Sequence, residues 1–442
     1  MTRAAGGSHV RWNILVLLAI VSFVEYVLKS AMSVAGPTMI AELGLSTVQL
    51  GIILGSAAWG YGMFQFPGGL LGDALGGRKA TALIVFLWGA AILPIAFVPG
   101  VGVLVPVVAV GLLASLQFLL GAAQAPLFPV TSGRVIGPWF PVTGWGLPTA
   151  LTSVGLTFGA AAAPPLIAWL VLRAGWRQSF VSLAPAAFIC AALWYWYVRD
   201  TPGEHPGVSP DERALIDAGR GISSEPVRAL GAWKVVLHDR QVLLLTASYF
   251  CINYVSYFFL NWGFLYLTDV RGFKMLEGGG LASLWWLSGA AGAAAGGWWC
   301  DYLTKSVGIR WGCRWPCLVG CVGCCLAMAA AAAAGTPYLA VAFLCLGLAF
   351  MQFTDPVYWV ATMSVSGRHA AGGCGVLNTG GNVVGTANAL LVPIIAQAFG
   401  WVAAIGTAAA SAMMAAILWF WIEADRRPVE AKAQLSPLDS VD

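Results

Sequence analysis

Apolar runs long enough to cross a bilayer recur along the whole chain, and nothing else in the sequence limits its fold so tightly. A helix needs roughly 20 apolar residues to span a hydrocarbon core of about 30 Å. Of the 442 residues, 59% are hydrophobic and 10% are charged. The sequence therefore predicts an all-α, polytopic membrane protein. Gly, Pro and charged residues punctuate the runs into twelve spans. Six are expected near Asn13–Ile40, Val48–Leu71, Ala80–Val98, Val101–Val130, Trp145–Leu172 and Trp176–Val198. Six more are expected near Val242–Leu267, Gly279–Cys300, Trp315–Ala334, Tyr338–Met363, Gly373–Phe399 and Trp401–Ile422.

Residues 199–241 form the long polar segment between the two sets of six. They read as a cytoplasmic connecting loop between an amino-terminal bundle, residues 1–198, and a carboxy-terminal bundle with its tail, residues 242–442. Within the loop, Ser209-Pro210-Asp211-Glu212 has the order of a capping box with proline at the first helical position, which predicts a short surface helix.

Orientation follows from the positive charges, which concentrate on the cytoplasmic side of a membrane. With both termini inside, only Arg173, Arg177, Arg271 and Lys274 of the 23 Lys and Arg residues lie outside, and Lys29 lies within a span. The net charge of +4 restates that bias and points to no nucleic-acid partner. The first apolar run is too long for a signal-peptide core, so it is expected to stay in place as a span of a multi-pass inner-membrane protein.

One mark is repeated between the halves. Gly69-Leu70-Leu71-Gly72-Asp73 is followed by Gly76-Gly77-Arg78-Lys79 after the second span, and Gly297-Trp298-Trp299-Cys300-Asp301 is followed by Lys305 after the eighth. A six-plus-six duplication predicts a solute site at the midplane between two bundles that rock to expose it alternately. Asp73, Arg78 and Asp301 are accordingly the candidate gating residues. Glycines let helix ends approach closely, and an Asp can accept hydrogen bonds from a neighbouring helix N-terminus.

At Gly69 to Lys79 the chain resembles the signature loop of the major facilitator superfamily. Further segments resemble its anion:cation symporter branch, which includes bacterial hexuronate, galactonate and glucarate permeases and the animal sialin and vesicular glutamate carriers. They are Gly121-x-x-Gln124-Ala125-Pro126-x-Phe128-Pro129, Trp139-Phe140-Pro141, Gly175-Trp176-Arg177-x-x-Phe180 and Pro202-x-x-His205-Pro206-x-Val208. Ala371-Gly372 and Asn378-x-x-Gly381-Asn382 carry the likeness into the eleventh span. The resemblance implies twelve transmembrane helices in two six-helix bundles, the major facilitator fold, and transport of an organic anion. It places Tyr26, Tyr61 and Trp359 at aromatic positions of a sugar-acid site, with Asn378 and Asn382 in its amide-bearing stretch.

Relatives in this branch carry an Arg and an acid in the first span, where this chain has Tyr26-Val27-Leu28-Lys29. In the fourth span many carry an Arg and, seven residues later, a Glu, where this chain has Gln117 and Gln124. The two amides are taken as solute-binding candidates. Gly144-Trp145 stands near the place of a further Arg usual after Trp-Phe-Pro.

Three charges lie inside spans: Glu25, Lys29 and Asp355. A charge at the bilayer centre costs about 3 kcal/mol on insertion scales, so each marks a partner, a water-filled cavity or a function. Lys29 is the expected anchor for an anionic oxygen of the solute. A structural pair with Glu25, one turn away, is the alternative, and the two roles can coexist. A carboxylate that occupies Lys29 leaves Glu25 free to take a proton, which makes Glu25 the first candidate for proton coupling. Asp355 is the second, followed by Pro356, which is expected to open the tenth span toward a cavity. It could also bind an ammonium group, pair with Lys29, or stand as a neutral acid held by nearby amides. Tyr254, Tyr257 and Asn261 share roughly one face of the seventh span and are weaker candidates, with Asn253 beside them.

Gly155-x-x-x-Gly159, followed by Pro164-Pro165, and Gly292-x-x-x-Gly296 predict close helix packing or a hinge. Cys313, Cys317, Cys321, Cys324 and Cys325 read as packing residues and not as a metal site, since no His lies near them. There is no phosphate-cradling loop and no nucleophile–base arrangement, so neither an enzyme nor an ATP-driven pump is expected, and no cofactor. The expected function is secondary uptake of a small organic anion, such as a sugar acid or other monocarboxylate, by a monomer working with protons. An antiporter or facilitator is the alternative, and a transporter-like sensor a more distant one. A monoanion entering against 100 mV is opposed by about 2.3 kcal/mol, so uptake requires a co-ion or an exchanged anion.

Overall fold

The computed structural model describes residues 8–99, 106–140, 146–218, 237–367 and 370–426. Three continuous helices, Thr47–Ile92, Gly146–Tyr197 and Ala370–Leu418, are each interrupted at one glycine: Gly76 (φ 76°, ψ 170°), Gly175 (φ 79°, ψ 166°) and Gly400 (φ 83°, ψ 167°). Gly308 (φ 83°, ψ 165°) precedes Ile309–Ala333 in the same conformation. That backbone region is open essentially to glycine alone. Each of the four makes a one-residue turn between two spans.

Among the described residues this gives twelve spanning helices. In the first half they are α1 (Val10–Leu43), α2 (47–75), α3 (77–92), α4 (Pro106–Gln124), α5 (146–174) and α6 (176–197). In the second half they are α7 (Arg240–Phe258), α8 (Met275–Val307), α9 (Ile309–Ala333), α10 (Pro337–Ser366), α11 (370–399) and α12 (401–418). The glycine turn falls between the second and third helix of every successive group of three. The duplication therefore has a finer three-helix period. An Arg follows two residues after three of these turns, as Arg78, Arg177 and Arg310, and Val402 takes that place in the fourth.

Most span ends fall within a few residues of expectation. The largest departure is around Gly308, where α8 continues past Cys300 to Val307 and α9 starts at Ile309 instead of Trp315. A one-residue turn needs no loop, so Arg310 and Arg314 are helical. The expected opening at Pro356 does not occur, because α10 runs unbroken from Pro337 to Ser366.

The chain divides into two compact units, Met1–Glu225 with Phe273–Ser283, and Pro226–Gly272 with Leu284–Asp442. In the first, α1 packs along α5 and α2 along α4. In the second, α7 packs on the α11–α12 pair and α9 on α10. Beyond Phe258, α7 continues as two π-helical turns, Phe259–Gly263 and Tyr266–Val270.

The predicted surface helix is present as Pro210–Ala218, and Ser209 Oγ accepts the Glu212 amide at 3.2 Å. The box is not closed by Glu212, whose carboxylate turns instead to the start of α1. It accepts the amides of Val10 at 3.3 Å and Arg11 at 3.2 Å, and the Ser8 hydroxyl. The first amides of a helix have no partner within it, and the helix dipole favours an anion there. His9, at the N-cap of α1, supplies no side-chain cap. The motif segments meet at the same end of α1. The His205 ring lies 6.0 Å from Trp139 and 5.1 Å from Tyr197, and Trp139 Nε1 donates to the Arg199 carbonyl at 3.0 Å.

Candidate solute site

In the first unit, α1 is held by close backbone approach. A side chain at Gly155 or Gly159 of α5 would strike the carbonyls of Ala19 and Phe23, and Gly159 also borders the Tyr26 Cβ. Gly60 and Gly121 do the same service between α2 and α4. On α1 so held, Lys29 stands beside Tyr61 of α2, and Glu25 meets Gln124 of α4.

Lys29 does not close a salt bridge with Glu25. Its Nζ stands 4.4 Å from the centre of the Tyr61 ring and 5.5 Å from that of Tyr26, inside the roughly 6 Å range of cation–π attraction. Two aromatic faces thus meet the ammonium in place of a carboxylate. Glu25 is 5% exposed, and its contact with Gln124 runs through the backbone, with Nε2 donating to the Glu25 carbonyl at 3.1 Å. Gln117 and Gln124 are both buried. The amide of Gln124 is spent in holding α1.

In the second unit, Asp355 on α10 accepts the Tyr249 hydroxyl of α7 at 2.8 Å. Trp359, one turn further along α10, faces the Tyr249 ring at 6.2 Å. Tyr257 donates to Asn382 Oδ1 at 2.8 Å, and Asn382 Nδ2 donates to the Asn378 backbone and side-chain oxygens at 2.7 and 3.0 Å. Asn378, Asn382 and Asp355 are therefore two short polar chains, each ending on a tyrosine of α7. Tyr254 pairs with Thr407 at 3.2 Å, and Asn388 of α11 joins Asn261 at 3.4 Å to the Tyr254 carbonyl at 3.0 Å. Among these groups Tyr249 was not anticipated. Its spacing of four and eight residues from Asn253 and Tyr257 is the signal that marks this face.

Of the gating candidates, Arg78 is tied to the end of α6 and the residues after it. Its amide donates to Asp200 Oδ1 at 2.8 Å, its Nε to the Tyr195 carbonyl at 2.8 Å, and its guanidinium stacks 4.4 Å over the Tyr195 ring. Asp301 is exposed at the end of α8. Asp73 lies on α2, but its side chain is outside the described residues. At the opposite end of the first unit, Arg177 pairs with Glu42 and donates to the Val98 carbonyl at 3.0 Å, while Trp176 Nε1 donates to Glu42 at 2.6 Å. In the second unit Arg271 plays that part, donating to the carbonyls of Ala331 and Ala334 at 3.1 and 2.9 Å. The cysteines Cys313, Cys317, Cys321 and Cys324 are buried along one face of α9, and among the described residues no His, Cys, Asp and Glu gather into a metal site.

The chain belongs to the Major Facilitator Superfamily, whose profile matches residues 18–387. This is a family of membrane transporters, not of enzymes. The chain is 32% identical over 292 residues to the probable galactarate/D-glucarate transporter GudP of Bacillus subtilis, covering 64% of this chain and 63% of that protein. It is 28% identical over 442 residues to the probable galactarate/D-glucarate transporter GarP of Escherichia coli, covering 96% and 97%. Over 376 residues it is 28% identical to the probable sulfoacetate transporter SauU of Cupriavidus necator, covering 85% of each. Among solved structures it superposes on a bacterial homolog of the human lysosomal transporter Spinster with a TM-score of 0.76 at 15% identity, covering 96% of this chain and 99% of that one. For a D-xylose–proton symporter the TM-score is 0.71 at 12% identity, covering 93% and 98%. The fold is the twelve-helix major facilitator fold.

Proposed function

We propose that the protein is a secondary transporter of a small organic anion, a sugar acid or other monocarboxylate, taken up with protons across the cell inner membrane by alternating access. Both termini face the cytoplasm in this reading. The observation that carries it is Lys29: an ammonium in the middle of a span, set against Tyr61 and Tyr26 and closing no salt bridge with Glu25. Burying such a charge is costly unless a ligand or water meets it, and an anionic oxygen supplies both charge and hydrogen-bond acceptance. The named relatives, transporters of galactarate, glucarate and sulfoacetate, support an anionic solute. Tyr26, Tyr61, Gln117, Trp359, Asn378 and Asn382 would supply ring faces and amides to a hydroxylated body. Glu25, close to Lys29 on the same helix, would carry the proton, with Asp355 as the second carrier. Asp73, Arg78 and Asp301 would act in the change of access.

One observation favours a second reading, an anion exchanger or facilitator. Gln117 and Gln124 of α4 stand where, by the resemblance, many relatives carry an Arg and a Glu, and Gln124 is engaged with the Glu25 carbonyl. Reconstitution in liposomes separates the two. Wild type should accumulate solute under an imposed proton gradient, while Glu25→Gln should lose that accumulation and keep counterflow, because exchange moves no net proton. If wild type ignores the gradient but exchanges, the exchanger reading replaces the first.

A further inference from the structure

Tyr249 reaches Asp355 across two helices, and a third makes room for it. The phenol of α7 donates to Asp355 Oδ1 of α10 at 2.8 Å, and its ring lies 5.1 Å from Tyr358 and 6.2 Å from Trp359. On α11, a Cβ at Gly381 would strike the Tyr249 ring, so that ring fills the notch the absent side chain leaves. One turn along α11, Gly385 gives the same room to Tyr257, whose hydroxyl goes to Asn382. Helix α7 is thus fastened at two tyrosines two turns apart. One ends on an amide that does not titrate and the other on a carboxylate that does. Past these fastenings α7 loosens into π-helical turns at Phe259–Gly263 and Tyr266–Val270, a geometry that recurs at functional sites.

We propose that Tyr249 is a positioning residue that makes α7 respond to the charge on Asp355: the ionised carboxylate holds α7 to α10, and a proton on Asp355 releases it. This deepens the proton-coupled reading and rests on it for its purpose in transport, although the tie itself does not. A phenol bonded to a carboxylate is charge-assisted, about twice as strong as the same bond to a neutral acid, and an apolar surrounding enlarges the difference. The incoming proton adds to the carboxylate, the phenol keeps its own, and only hydrogen bonds change. The groups facing Asp355 can be named helix by helix. Tyr249 faces it from α7, the Cys317 thiol lies within electrostatic reach on α9, and on α10 itself the Trp359 side chain also hydrogen-bonds the carboxylate. From α11 comes the Gly381 notch. Among the described residues of this unit no Lys or Arg competes for the carboxylate.

Hydrogen–deuterium exchange of the full-length protein in micelles, without solute, tests the tie. Peptides covering residues 240–263 are followed over a pH series and corrected for intrinsic exchange. Wild type should lose protection in α7 several-fold on acidification, in one titration step. Asp355→Asn should show the acid-form level at every pH, and Tyr249→Phe, which keeps the ring and its packing, should also be flat. A tyrosine with a merely structural role would lower protection yet leave the step in place. Gly381→Ala retains both partners while displacing the ring; it should shrink the step, and it serves if the other variants prove unstable. A step that survives in Tyr249→Phe or in Asp355→Asn overturns the proposal. Loss of gradient-driven uptake in wild type would instead count against the transport reading and leave the exchange result standing.

Discussion

Asp200 caps a helix that begins more than a hundred residues before it. Its Oδ1 accepts the Arg78 amide at 2.8 Å, at the first turn of α3 just past the Gly76 turn. A Cβ on Gly76 would lie 2.7 Å from the same carboxylate oxygen, so turn and cap are fitted to each other. Loss of such a cap costs about 0.5–2 kcal/mol. Asp200→Ala should therefore lower the apparent melting temperature of the purified protein by a few degrees, while Asp200→Asn, which keeps an acceptor, should lower it less. Equal melting of all three proteins would show that the cap contributes nothing.

Gly175 offers a test of backbone strain without steric interference. It holds φ 79° and ψ 166°, and no heavy atom lies within 4 Å of the place a Cβ would occupy. The cost of Gly175→Ala is then conformational alone, about 1–3 kcal/mol. Thermal denaturation followed by intrinsic fluorescence should show a clear fall. No change would mean that the turn between α5 and α6 adopts another geometry.

His205 gives the loop a pH dependence. Burial, helped by Arg199, holds its imidazole below the usual 6.5, against the opposing pull of the Tyr197 backbone and Glu212. The neutral ring is the form that packs on Trp139 and Tyr197, so its contribution is complete above about pH 6.5 and is lost as pH falls below that. Hydrogen exchange of residues 199–218 should speed up as pH falls below about 6.5, beyond its intrinsic change. His205→Phe should remove the step. A step of equal size in that variant would assign the pH dependence to another group.

The spans were legible because hydropathy is a local property, and so were the three embedded charges, which stand out against apolar neighbours. The three-helix period was not, because its sign is a backbone angle at Gly76, Gly175, Gly308 and Gly400, and the accompanying Arg gives way to Val402 in the last turn. Partners were least legible. Ser209-Pro210-Asp211-Glu212 announces a helix start, but the use of Glu212 for α1 depends on a tertiary contact that no local pattern encodes. The same holds for Lys29. Its spacing from Glu25 suits an i,i+4 pair, yet its ammonium stands before the Tyr61 ring of another helix instead. Tyr249 is not singled out by the sequence because α7 carries several tyrosines, and the glycine notches of α11 choose among them.

Binding at Lys29 is the central claim, and a thermal-shift comparison tests it most directly. Wild type is screened against sugar acids, other organic acids, sulfonates, amino acids and neutral sugars. A ligand at a hundred times its Kd stabilises the folded state by about 2.7 kcal/mol. The account predicts a stabilising anion for wild type, no shift with that anion for Lys29→Ala, and a reduced shift for Lys29→Arg, which keeps the charge but changes its shape. An undiminished shift in Lys29→Ala would place the anion somewhere other than Lys29.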